Sequence, residues 1–141
     1  MTTKNNSPQF TLESLILTDV SFTRVEKIVT PDKQKISHST DVVVDQSELI
    51  NDSFAVSLNI KHHIEYDGKN IVSIDVNYSG NFKKIGNATQ DELDNFTNIN
   101  APAIIFPFVR ELIASISTKA MIGTILLQPV NFVQLYKEKK Q

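Results

Sequence analysis

Between positions 54 and 66, Phe54, Val56, Leu58, Ile60, His62, Ile64 and Tyr66 alternate with Ala55, Ser57, Asn59, Lys61, His63 and Glu65. A period of two places the first set on one face of a β-strand and the second on the other. Asp67-Gly68 follows, the dipeptide that closes a two-residue hairpin. Beyond it the alternation resumes, with Val72, Ile74, Val76, Tyr78 and Phe82 set against Ser73, Asp75, Asn77 and Ser79. The pair therefore reads as an antiparallel hairpin with one apolar and one polar face. A broad apolar face has to be covered.

The cover lies between 100 and 132. Ile104, Ile105, Phe108, Val109, Leu112, Ile113 and Ile116 recur at intervals that gather them on one wide stripe of an α-helix. Before it, Thr89 and Glu92 form a capping-box pattern for a short helix ending near Phe96. The chain is then expected to reset over 98–101, with Pro102 in the first turn of the main helix. Pro107 removes a helical hydrogen bond, so the regular helix either begins near Phe106 or kinks there. Met121, Ile122, Ile125, Leu126 and Leu127 read as an apolar connector, interrupted by Gly123 and closed by Pro129. Such a connector is either buried or open to a partner. A last short helix spans Phe132 to Lys139.

Ahead of the hairpin, 1–9 reads as a disordered leader and 10–141 as one domain. A long strand covers 10–25, with Phe10, Leu12, Ile16, Val20 and Phe22 on one parity and Leu15, Leu17 and Val25 on the other. Apolar residues on both parities imply a central strand, or one that changes partners midway. The turn signal Thr30-Pro31-Asp32 lies in a long connection over 26–40, and a short strand follows around Val42 and Val44. Strands first and helices last define an α+β chain with its helices on one face of an antiparallel sheet.

Little of this points to catalysis. His62 and His63 are neighbours on a strand and face opposite ways, and His38 falls in the long connection without an acidic partner, so no metal site is expected. The chain has no cysteine and only four glycines, none of them in a phosphate-cradling loop, and no Gly-x-Ser-x-Gly turn. Carboxylate pairs such as Asp41 and Asp45 lack an apolar pocket. The chain reads as a non-enzyme without cofactors. A net charge of −2 argues against a nucleic-acid binder; the basic end Lys137-Glu138-Lys139-Lys140 reads as a solvated helix terminus. No signal peptide opens the sequence, and no unbroken run of 18 apolar residues suggests membrane insertion. A cytoplasmic protein is expected.

Several local patterns resemble the SecB export-chaperone family. They are Ala101-Pro102, Phe106-Pro107, Arg110-Glu111 and Pro129-Val130-Asn131-Phe132 at the end, Thr18-Asp19-Val20-Ser21-Phe22 near the start, and Gly80-Asn81-Phe82 between them. The resemblance implies a four-stranded antiparallel sheet with one long and one or two short helices packed on one face. It implies a homotetramer built as a dimer of dimers, with Ile105, Val109, Leu112 and Ile116 of the long helix at the oligomer interface. The implied function is an ATP-independent holdase that keeps unfolded preproteins export-competent in apolar grooves. Phe22, Met121, Ile122, Ile125, Leu126 and Leu127 would line the groove, with the 26–40 crossover on its other wall. Asp19 and Asp75 match the acidic sheet surface that faces the SecA motor.

The chain also departs from that pattern. Its crossover has no aromatic residue, Ile122 replaces a loop phenylalanine, Ala120 a glycine and Thr23 a glutamate, and the terminal residues are basic where the family carries an acidic motor-binding tail. The resemblance therefore carries client holding further than motor docking. A chaperone dedicated to the antitoxin of a toxin–antitoxin system, or an oligomeric scaffold that has lost client binding, are the alternatives.

Overall fold

A computed structural model describes residues 9–25 and 32–141; the leader over 1–8 and residues 26–31 of the connection lie outside these. Four strands, β1 (Gln9–Arg24), β2 (Ile36–Gln46), β3 (Ser53–Tyr66) and β4 (Lys69–Ile85), form one sheet in the order β1-β4-β3-β2. All neighbours are antiparallel. Helices α1 (Gln90–Asn95), α2 (Ala101–Lys119) and α3 (Phe132–Lys139) follow in chain order. The α+β architecture read from the sequence is the one observed.

The β3–β4 hairpin turns at Asp67 and Gly68 with φ of 51° and 80°, the doubly positive geometry that matches strand twist. Its inward residues Val56, Leu58, Ile60, Ile74, Val76 and Phe82 are fully buried, and so are Ile105, Val109 and Ile113 of α2. Burial of each such side chain contributes about 1.5–3 kcal/mol. This sheet–helix layer is the core.

Four expectations need correction. First, β1 is an edge strand, not a central one. Two bulges, between Leu12 and Ser14 and between Leu17 and Asp19, shift its register against β4. Each inserts one residue and flips the parity. Phe10, Leu12, Leu15, Leu17, Val20 and Phe22 thereby share the helix side, opposite Lys84, Phe82, Gly80, Tyr78, Val76 and Ile74. Gln9 already pairs with Ile85, so β1 starts one residue before the strand read from the sequence.

Second, β2 begins at Ile36, because the polar run Ser37-His38-Ser39-Thr40 pairs residue by residue with β3. Cross-strand bonding, not apolar alternation, makes it a strand. Third, the chain does not reset over 98–101. A π-helical turn, Phe96–Asn100, joins α1 to α2, giving an unbroken helix from Gln90 to Lys119. Pro102 explains the widening: it has no N–H to continue the α pattern, and the Ala101 N–H reaches five residues back to the Phe96 carbonyl. Thr97 Oγ1 and Asn98 Nδ2 donate to the Asp94 carbonyl at 3.2 and 2.8 Å, replacing the partners that the wide turn displaces. Fourth, of the two readings of Pro107 the start near Phe106 fails: regular helix begins at Ala101 and continues through Pro107. Ala103 and Pro107 are exposed, so the carbonyl left without its donor lies on an open face.

By length and composition the 30-residue helix could cross a membrane, although the sequence has no unbroken apolar run. In this fold its most buried stripe lies on the sheet instead. An aromatic cluster ties its π-helical turn to β1: Phe10 stacks on Phe96 at 4.1 Å, and Phe96 meets Phe82 edge-on at 5.2 Å.

Gly80 sits at a close approach within this layer. A Cβ there would lie 2.8 Å from the Phe82 ring and 3.4 Å from Ile105 Cδ1, and both side chains are fully buried. Gly80→Ala is expected to destabilise the fold by about 1–3 kcal/mol through overpacking, read as a lower urea midpoint; an unchanged midpoint would show that the ring can move aside.

Candidate functional site

Past Lys119 the chain needs a stop that leaves its apolar residues in place. Met121 and Gly123 take positive φ of 57° and 83°, which ends the helix and turns the backbone. Residues 123–131 then run without helix or strand, so side chains have to hold them. Ser117, fully buried, accepts from the Ile125 N–H at 2.8 Å and donates to the Ala114 carbonyl at 2.9 Å. Arg110 Nε donates to the Leu127 carbonyl at 3.1 Å. The Thr118 and Thr124 hydroxyls lie 2.9 Å apart. Asn131 caps α3 by accepting from the Gln134 N–H at 3.0 Å, and Phe132 is buried against Phe106. The Pro-Val-Asn-Phe motif is thus a helix entry with a hydrophobic anchor.

This moored connector alternates. Ile125 and Leu127 are buried in the core, Ile122 is half-buried, Leu126 is 59% exposed and Met121 is 89% exposed. Between the connector and the β2–β3 end of the sheet lies a groove of about 630 Å³, whose lining includes Thr40, Val42, Ile60, Phe106, Ile122 and Leu126. A second trough of about 290 Å³ lies beside Arg24, Val25, Ile71 and Met121. His38 and Ile122 line both. Arg24 Nη1 donates to the Ala120 carbonyl, fastening the end of β1 to the end of α2.

Of the six groove residues expected from the sequence, Ile122, Ile125, Leu126 and Leu127 line the larger groove, and Met121 with Ile122 the smaller. Phe22 lines neither; it is half-buried on the helix side of β1 opposite Ile74. Residues 26–31 of the crossover wall lie outside the described residues. Asp19 and Asp75 sit on adjacent strands on the opposite sheet face, where Asp75 Oδ1 accepts from Asn59 Nδ2 at 2.7 Å. Of the four residues expected at an oligomer interface, Ile105 and Val109 are wholly buried against the chain's own sheet, while Leu112 and Ile116 are half-buried. Apolar residues still exposed on that side include Ile104 and Phe108 of α2, with Leu12, Leu17 and Val20 of β1.

The placement of His38 in a connection also fails. It stands on β2 with its Nδ1 3.0 Å from His62 Nε2, and His62 Nδ1 lies 2.8 Å from Thr40 Oγ1. Burial lowers the pKa of His62 below its ordinary value, with the neighbouring His38 and His63 acting in the same direction. This polar chain was not legible in the sequence, because it depends on the β2–β3 register. No group of three or more metal-ligating side chains is present among the described residues.

An antiparallel four-stranded sheet, a long helix across it and an open apolar groove beside the helix end define a class. The family profile described as preprotein translocase subunit SecB matches residues 3–141. The chain belongs to the SecB family. It is 28% identical over 137 residues to the protein-export protein SecB of Nitrobacter winogradskyi, covering 96% of this chain and 86% of that one. It is 29% identical over 133 residues to its namesake in Rhodopseudomonas palustris strain HaA2, covering 93% and 84%. Among solved structures, a SecB-like chaperone of Mycobacterium tuberculosis, in complex with a peptide from an antitoxin, superposes with a TM-score of 0.73 at 11% identity. That match covers 86% of this chain and 90% of the other, and it shows a shared fold.

Because the folded chain opposes protonation of His62 and the unfolded chain does not, the unfolded state takes up the proton first. Stability contributed by neutral His62 is full above the ordinary imidazole value of 6.5 and declines as pH falls below it. Urea unfolding across that range is expected to show a loss with the slope of at most one proton, flattened in His62→Gln. An identical slope in the variant would assign the acid sensitivity to other groups.

Proposed function

We propose that this protein is an ATP-independent holdase that binds unfolded segments of exported preproteins in the paired grooves beside its connector. The observation that carries the reading is the connector's construction. Its backbone is pinned by Ser117 and Arg110, while Ile122, Leu126 and Met121 are left at the surface beside an open apolar groove. Removing apolar surface from water contributes about 25 cal/mol per Å² without directional demand. A pinned apolar wall therefore suits clients that share only exposed hydrophobic residues.

The exposed stripe of Ile104 and Phe108, next to Leu17 and Val20 on the β1 edge, supports a homo-oligomer, and we assign it to contacts between copies in a dimer of dimers. Leu112 and Ile116 extend it along the helix. Asp19 and Asp75 give the opposite sheet face an acidic pair suited to docking the SecA motor in the cytoplasm. The related fold that carries an antitoxin peptide favours one second reading, a chaperone dedicated to an antitoxin.

The double variant Ile122→Asp, Leu126→Asp is expected to lose suppression of aggregation of a chemically unfolded preprotein, with its mass by light scattering unchanged. Failure of the parent protein to suppress would remove the general-holdase reading and leave the dedicated one. Phe108→Asp is expected to lower the solution mass by at least half. A mass equal to the parent's would move the interface elsewhere.

A further inference from the structure

The grooves are apolar but not featureless, and among the described residues their ionisable groups are all of one kind. The only ones lining them are Arg24, His38 and His62; no carboxylate lines either groove among the described residues. The connector contributes no ionisable residue between 121 and 130. Arg110 of α2 stands behind it on the Leu127 carbonyl, and His63 points to the reverse face of β3, near Ser73 Oγ at 3.2 Å. Among the described residues, an apolar segment entering the grooves therefore meets bases and potential cations only.

We propose that the grooves select, among extended apolar segments, those that carry a carboxylate, and that His38 is the residue that reads it. This rests on the holdase reading and names the client chemistry that such a groove prefers. His38 is exposed and lines both troughs, so a segment lying along them passes over its ring. One ring nitrogen is already committed: Nδ1 bonds to His62 Nε2, and His62 Nδ1 bonds in turn to Thr40 Oγ1. Nε2 of His38 has no hydrogen-bond partner among the described residues.

The hydrogen-bond directions follow from that chain. A protonated His38 donates through Nδ1–H to His62 Nε2 and through Nε2–H to a client carboxylate. For this His62 has to stay neutral, donating its own Nδ1–H to Thr40. Its burial, which opposes protonation, keeps it so. Thr40 and His62 are positioning residues: they hold the His38 ring and fix which nitrogen faces the client. Arg24 donates to the Ala120 and Val25 carbonyls, so its role is to bias the local potential. Carboxylate binding and proton uptake by His38 are then linked, because each favours the other.

The test uses the full chain and three fluorescent peptides that share one extended apolar sequence and differ at a central Asp, Asn or Lys. By anisotropy at about pH 6, the Asp peptide is expected to bind about fivefold tighter than the Asn peptide, the upper range for a solvent-open ion pair, and the Lys peptide weaker than both. At about pH 8, where imidazole is neutral, the Asp preference contracts to less than about twofold. His38→Gln, a change at an exposed position checked by an unaltered thermal midpoint, removes the preference at both values. Equal binding of Asp and Asn peptides near pH 6, or a preference that survives in His38→Gln, overturns carboxylate selection while leaving the holdase reading standing. Failure of all three peptides to bind overturns both.

Discussion

Contact between the buried stripe of α2 and the inward face of β3 and β4 is the interaction on which everything else depends. Ile105, Val109 and Ile113 meet a sheet face built from Val56, Leu58, Ile60, Ile74 and Val76, and none of these is exposed. The hairpin cannot leave that face in water, and the helix cannot leave its stripe there. Once they join, the end of α2 is placed, and with it Ser117, Arg110 and the connector. The groove is a by-product of where this helix stops. The sheet reaches past the helix toward β2, and the connector returns along the uncovered margin.

How much of this the sequence discloses depends on what kind of information each element needs. β3 and β4 are legible because alternation is a local signal, and Asp67-Gly68 states the turn between them. The α2 stripe and the apolar connector are legible for the same reason. β1 is misread in position because two bulges scramble its parity, and bulges are set by the partner strand. β2 is under-read because Ser37, His38, Ser39 and Thr40 become a strand only through β3. The π-helical turn at Phe96 is invisible from propensity; its cause, a proline lacking its N–H at Pro102, is plain only when the helix on both sides is seen to be continuous.

The candidate site divides in the same way. Ile122, Leu126 and Met121 are found from hydrophobic pattern and family resemblance. Which of their neighbours point inward is a matter of connector geometry, and Ile125 and Leu127 turn out to be core. Ser117 carries no signal at all in the sequence, since a serine in a helix usually bonds back within its own turn. Here the hydroxyl does so and also receives the Ile125 N–H. The His38–His62–Thr40 chain is hidden for a related reason: residues far apart in sequence become neighbours only in the register of two strands.

The mooring of the connector bears on how such a protein changes over generations. Its fixed points are Ser117, Arg110, Ile125 and Leu127, and its exposed apolar residues are Met121 and Leu126, with Ile122 half-covered between them. The two sets share no residue. On the proposed holdase reading, substitutions at Leu126 would alter which segments are held while leaving the side chains that pin the backbone in place. On that reading, recognition would drift from one client to another while the pinning contacts persist, and a single scaffold could diverge into several specialists.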